Sequence, residues 1–117
     1  MIRHQNDNGS VNISTSVYTD IAGNAATNCF GVKGMAARSV SDGLVHLLRR
    51  EAMSKGVKVH FLDDGSISID LHIAVDRGIN TAAIGEAIIE RVKYEVTKST
   101  DTVVQSVNVY VDSISAE

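Results

Sequence analysis

The chain has 117 residues, 44% of them hydrophobic, and its 11 Lys and Arg against 14 Asp and Glu give a formal net charge of −3. That is one domain's worth of chain, with enough apolar content for one core. The lone Cys29 excludes an internal disulfide and fits a reducing cytoplasm, the polar start MIRHQNDNGS has no signal-like apolar core, and no apolar run nears the roughly 18 residues of a membrane-spanning helix.

Residues 1–8 are expected to form a flexible tail and residues 9–117 a single domain. Gly9 to Ile13 reads as a short strand, with Val11 and Ile13 on one face. Ser14 or Ser16 then caps a helix, since a hydroxyl oxygen accepts from an orphan first-turn amide. Its apolar stripe runs Val17, Ile21, Ala25 and Cys29, with Tyr18, Ala22 and Ala26 beside it. Gly31 is expected to end this helix in a left-handed conformation. Gly31 and Gly34, within FGVKGMAAR, read as a structural turn between two helices. Ser39 or Ser41 caps the second helix, which buries Leu44, Leu47 and Leu48, carries Arg49, Arg50 and Lys55 near its C-terminal end, and stops at Gly56.

VKVHFLDDGSISIDLHIAVD alternates with period two on both sides of Asp-Asp-Gly, which predicts a hairpin. Placing Phe61 and Ile67 on one face requires a three-residue loop, Asp63-Asp64-Gly65, with Gly65 left-handed. Lys58 then faces Asp70 and His60 faces Ser68, because a slip by one residue would set Phe61 against Ser68. Asn80 caps the third helix, which runs to about Lys98 with Ile84, Ile88, Val92 and Val96 inward. A last strand follows, with Val107, Val109 and Val111 on one face and Asn108 and Tyr110 on the other. The order β-α-α-β-β-α-β predicts an α+β fold, a four-stranded, mostly antiparallel sheet with three helices largely on one face. The other sheet face collects Lys58, His60, Asp70, His72, Asn108 and Tyr110, and a polar sheet face meets either water or a partner.

Charge is unevenly placed. From Lys33 to Lys58 there are six basic and two acidic residues, and elsewhere five basic and twelve acidic. A basic middle between acidic flanks suits an anionic partner or head-to-tail contact between copies, which salt would weaken. The candidate interaction surface therefore comprises Lys33, Arg38, Arg49, Arg50, Lys58, His60, Asp70 and His72. The first part of the order is KH-like, and GVKG falls where a KH domain clamps RNA backbone between its first two helices. A short Gly-x-x-Gly match is weakly specific, and Met35 to Val40 separate it from the best helical pattern, so a turn is the preferred reading. The rival is a KH-like RNA-binding protein using this loop and the basic 33–58 segment.

No catalytic, cofactor or metal site is assigned. His60, Asp70 and His72 share a face, but zinc needs three or four convergent ligands, and the predicted register holds His72 away from His60. Cys29 sits on the apolar stripe as packing. Glu86 and Glu90 are one turn apart on a solvated helix face, with nothing near them to make them paired catalytic acids.

Ile21-Ala22-Gly23-x-Ala25-Ala26, Phe30-Gly31-Val32-x-Gly34-Met35, GVKV, SIDLHIAV and the Val92-Lys93 helix before VNVYV together resemble the alkaline shock protein family. The resemblance spans about Gly9 to Ile114, and Ser99-Thr100-Asp101-Thr102 departs from the family's usual Thr-Gly turn. It implies a cytoplasmic, non-enzymatic protein of Gram-positive envelope stress response. It also implies a partner that is itself, another family member or a small membrane-anchored protein, with no membrane insertion of its own. Members are also encoded near fatty-acid kinase components. The expected function is a self-associating scaffold or adaptor, with protein rather than nucleic acid as partner.

Overall fold

The computed structural model describes residues 2–38, 45–47 and 56–114. The fold is α+β. In chain order it contains β1 (Ile2–Asn6), β2 (Gly9–Ile13), α1 (Thr15–Thr27), β3 (Val32–Arg38), β4 (Val45–Leu47), β5 (Val57–Phe61), β6 (Ile67–Val75), α2 (Thr81–Thr100) and β7 (Val104–Ile114). β6 is the centre of a five-stranded sheet. One of its edges is shared, with β5 antiparallel along Ile67–Leu71 and β3 antiparallel along Ile73–Val75. β7 runs parallel to β6 along the other edge, which requires the long return through α2.

The β5–β6 hairpin has the register that alternation demands: Val57↔Leu71, Lys58↔Asp70, Val59↔Ile69, His60↔Ser68 and Phe61↔Ile67. Leu62 and Ser66 close a three-residue loop (Leu62 N to Ser66 O, 2.9 Å), with Gly65 at φ 86. Asp64 Oδ1 also accepts from the Ser66 backbone N–H at 3.0 Å, a side-chain substitute for a backbone turn. α2 begins where Asn80 was expected to cap it, its side chain accepting from the amides of Ala82 and Ala83.

Ile84, Ile88, Val92 and Val96 of α2 pack with Ile67, Ile69, Leu71, Ile73 and Val75 of β6 in one buried core. Tyr18, Ala22, Ala25 and Ala26 bring α1 into it. The buried stripe of α1 is therefore centred one residue beyond the predicted one, and Val17 is 41% exposed. Short side chains let α1 lie close to its neighbours, while Tyr18 reaches the base of β7, its hydroxyl 2.8 Å from Thr102 Oγ1.

Four expectations are corrected. Residues 2–6, expected in a flexible tail, form β1 in antiparallel register with β2, joined by Asp7-Asn8, residues that favour turns. GVKG is not a hinge between helices. α1 ends at Thr27, Gly31 turns the chain at φ 91 instead of capping it, and Gly34 lies inside β3. The segment extends because the edge of β6 beyond β5 needs a partner: Val32 pairs with Val75, Gly34 with Ala74, and Lys33 is the extra residue of a bulge between them. The predicted second helix is replaced at Val45–Leu47 by β4, which pairs with β3. The rest of that helix, with Ser39, Ser41, Leu44, Leu48, Arg49, Arg50 and Lys55, lies outside the described residues. The described residues thus hold two helices, a five-stranded sheet and a separate two-stranded sheet of β1 and β2, where three helices and one four-stranded sheet that included Gly9–Ile13 were expected.

The turn after α2 lies where the sequence departs from the Thr-Gly turn of the family it resembles. Asp101 adopts φ 56, ψ 28, the left-handed conformation glycine takes most readily, and its N–H reaches Thr97 O at 2.9 Å. Aspartate tolerates this conformation better than most residues.

Candidate functional site

β-strand alternation divides β6 between two environments. Ile67, Ile69, Leu71 and Ile73 point under the helices, and Ser68, Asp70 and His72 point the other way. Parallel pairing with β7 sets Ser106 beside Ser68, Asn108 beside Asp70 and Tyr110 beside His72, while β5 adds Lys58 and His60. The outward face is a grid of polar side chains three strands wide.

The grid is internally bonded. Asp70 is its hub, accepting at Oδ1 from Asn108 Nδ2 (2.9 Å) and at Oδ2 from His60 Nε2 (3.0 Å). The bond from Asn108 holds the Asp70 carboxyl below the usual carboxylate range against the upward pull of burial, and the bond and charge of His60 reinforce it. Ser68 and Ser106 exchange a hydroxyl bond at 2.9 Å. His72 Nδ1 lies 2.7 Å from Asp112 Oδ2, and a carboxylate can only accept, so the ring nitrogen carries the proton. The His72 ring stacks on Tyr110, centroids 4.9 Å apart and planes 16° from parallel.

Lys58, His60, Asp70 and His72 are thus brought together as the sequence suggests, with Asn108 and Tyr110. Lys33 is exposed at the β3 bulge, Arg38 is placed only as the end of that strand, and Arg49 and Arg50 lie outside the described residues, so these four do not extend the described site. Asp112 is the residue sequence reading missed. Its contact with His72 depends on β7 lying parallel beside β6, with Asp112 the extra residue of a bulge between the Ile73↔Val111 and Ala74↔Ser113 pairs. Parity with Asn108 and Tyr110 is the signal that could have found it.

Two other sequence candidates stand apart. Glu86 and Glu90 are exposed on α2. Cys29 is partly buried beyond the end of α1, where desolvation pushes its thiol pKa up against the opposing charge of Arg91. No group of three or more His, Cys, Asp or Glu among the described residues could hold a metal ion.

The fold and its bonded outward face define a small α+β protein with one polar sheet face. The chain belongs to the alkaline shock protein 23 family, of cell envelope-related function, which it matches over residues 3–116. It is 36% identical over 107 residues to the uncharacterised protein YloU of Bacillus subtilis, covering 91% of this chain and 88% of that one. It is equally similar, 36% over 107 residues with the same coverage, to the uncharacterised protein Spy1614 of Streptococcus pyogenes. A second Streptococcus pyogenes protein, Spy1535, is 27% identical over 109 residues, 93% of this chain and 81% of that one. No solved structure matches the chain. No described helix is long and apolar enough to cross a membrane.

Proposed function

We propose that this chain is a non-enzymatic scaffold or adaptor in cell-envelope homeostasis, working from the cytoplasm and assembling with itself or with an envelope-linked protein, such as a membrane-anchored partner. The observation that carries the reading is the outward face of β5, β6 and β7. Its histidines and carboxylates are tied to one another in an open plane, and the Tyr110–His72 stack offers aromatic area of the kind that anchors protein interfaces. A pre-ordered surface suits a macromolecular partner, because little side-chain freedom remains to be lost on docking.

The family's cell envelope-related function supplies the setting. The RNA-clamp alternative lost its structural premise when GVKG proved to open a strand.

Sedimentation velocity over a concentration series, with a trace of labelled single-stranded RNA followed at its own wavelength, tests the reading. The expected result is a sedimentation coefficient that climbs with protein concentration while the RNA stays slow. A strict monomer at every concentration overturns the self-association part of the reading, and RNA moving with the protein overturns the reading as a whole.

A further inference from the structure

The two sides of the sheet end differently. β5 has five residues, two of them, Lys58 and His60, polar and exposed. β7 has eleven residues and, among the described residues, pairs only with β6. From Val104 through Val111 it carries neither charge nor proline. Proteins usually blunt a long edge with lysine, proline or bulges, because its free amides and carbonyls are a template for another strand. β7 has bulges at Gln105 and Asp112, and they leave Ser106–Val111 regular. Tyr110 and Val111 on this run remain 47% and 37% exposed.

We infer that the free edge of β7 pairs antiparallel with β7 of a second copy about a two-fold axis at Val109, a proposal that rests on the self-association reading above. The occupant follows from the sequence of the edge. Val107-Asn108-Val109-Tyr110-Val111 alternates apolar and polar symmetrically about Val109. A strand meeting its own copy pairs residues whose numbers have a constant sum, and an odd sum would set valines against Asn108 or Tyr110 on the wrong face. Centring on Val109 sets Val107 against Val111 of the second copy, Asn108 against Tyr110, and Val109 against itself. Centring on Asn108 would leave exposed Val111 opposite the bulged Gln105. The central run is uncharged, so two copies of net charge −3 meet without like charges in register. The two polar faces then join into one, with Asn108 and Tyr110 at its middle.

This contact differs in its salt response from head-to-tail contact between the basic middle and the acidic flanks, which added salt screens. The test uses the full chain with Cys29→Ser, carrying either Asn108→Cys or Tyr110→Cys, each checked for native circular dichroism. Under a mild oxidant, mixing the two variants gives several-fold more disulfide-linked dimer than either alone, since only the mixture places thiols directly opposite. Association of the wild-type chain, read by sedimentation, is unchanged by salt, and Val111→Lys weakens it at least about tenfold.

Assembly of the wild-type chain with no gain from mixing, with loss of association in salt, or with Val111→Lys associating normally overturns the β7 pairing and leaves self-association standing. A wild-type chain that stays monomeric overturns both.

Discussion

Ile69 and Asp70 are neighbours on β6 and live in different solvents. Ile69 is fully buried between the sheet and the helices, whereas the Asp70 side chain, 21% exposed, lies in a hydrogen-bonded grid at the water boundary. Each fully buried aliphatic side chain on the helix side contributes about 1.5–3 kcal/mol. Exposed ion pairs and hydrogen bonds of the outward kind contribute about 0–1 kcal/mol. Stability is therefore concentrated on one face of the strand, and the other is free to change its chemistry without unfolding the protein.

Three substitutions test that contrast. The largest effect belongs to Ile69→Ala, which removes a fully buried side chain and leaves a cavity; urea denaturation is expected to show a loss of about 3 kcal/mol. A loss below about 1 kcal/mol would mean the core can collapse around the gap and the contrast is weaker than drawn.

Gly56→Ala comes next, at the seam where β5 begins and the pairing of β3 with β6 ends. A β-carbon there would lie 3.1 Å from Ala36 O and Met35 Cβ and 3.2 Å from His72 O, and backbone atoms yield poorly. The expected cost is about 1–2 kcal/mol, read from the same denaturation curves.

Asp70→Asn has the smallest effect at neutral pH, under about 1 kcal/mol. Its signature is in the pH profile. The Asp70 carboxyl titrates lower when folded than unfolded, so within that window the unfolded chain binds the extra proton and stability rises with pH. Its contribution is present above the unfolded carboxylate pKa of about 3.9 and disappears as pH falls through the lower folded value. Wild type and Asp70→Asn should therefore converge in stability in acid, as measured by denaturant titration at stepped pH. A gap that stays constant across that range would remove Asp70 as the electrostatic hub of the grid.

The legible parts of the molecule were those where a local pattern had one consistent solution. Parity and the Asp-Asp-Gly loop fixed the β5–β6 register residue by residue, and i+4 spacing with the Asn80 cap fixed α2. The same parity collected His60, Asp70, His72, Asn108 and Tyr110 on one face. GVKGMAAR was illegible because its strand has no clean alternation. A bulge at Lys33 and a glycine at position 34 break the pattern, and the segment extends through pairing with β6, a partner that begins more than thirty residues away. β1 was missed for a related reason: its polar residues look like a tail until the Asp7-Asn8 turn sets them against β2. The His72–Asp112 bond needed the parallel β6–β7 pairing, which no short window of sequence encodes.

The shared edge of β6 has a consequence in time. β5 holds Ile67–Leu71 and β3 holds Ile73–Val75, so the edge is fastened in two separate pieces. Amide hydrogens on that edge are expected to fall into two exchange classes, a short set paired with β3 across its bulge and a longer set against β5, which residue-resolved hydrogen exchange would separate. The residues that join the two halves, Leu71 to Ile73, include His72 of the His72–Tyr110 stack and mark the boundary between the two sets.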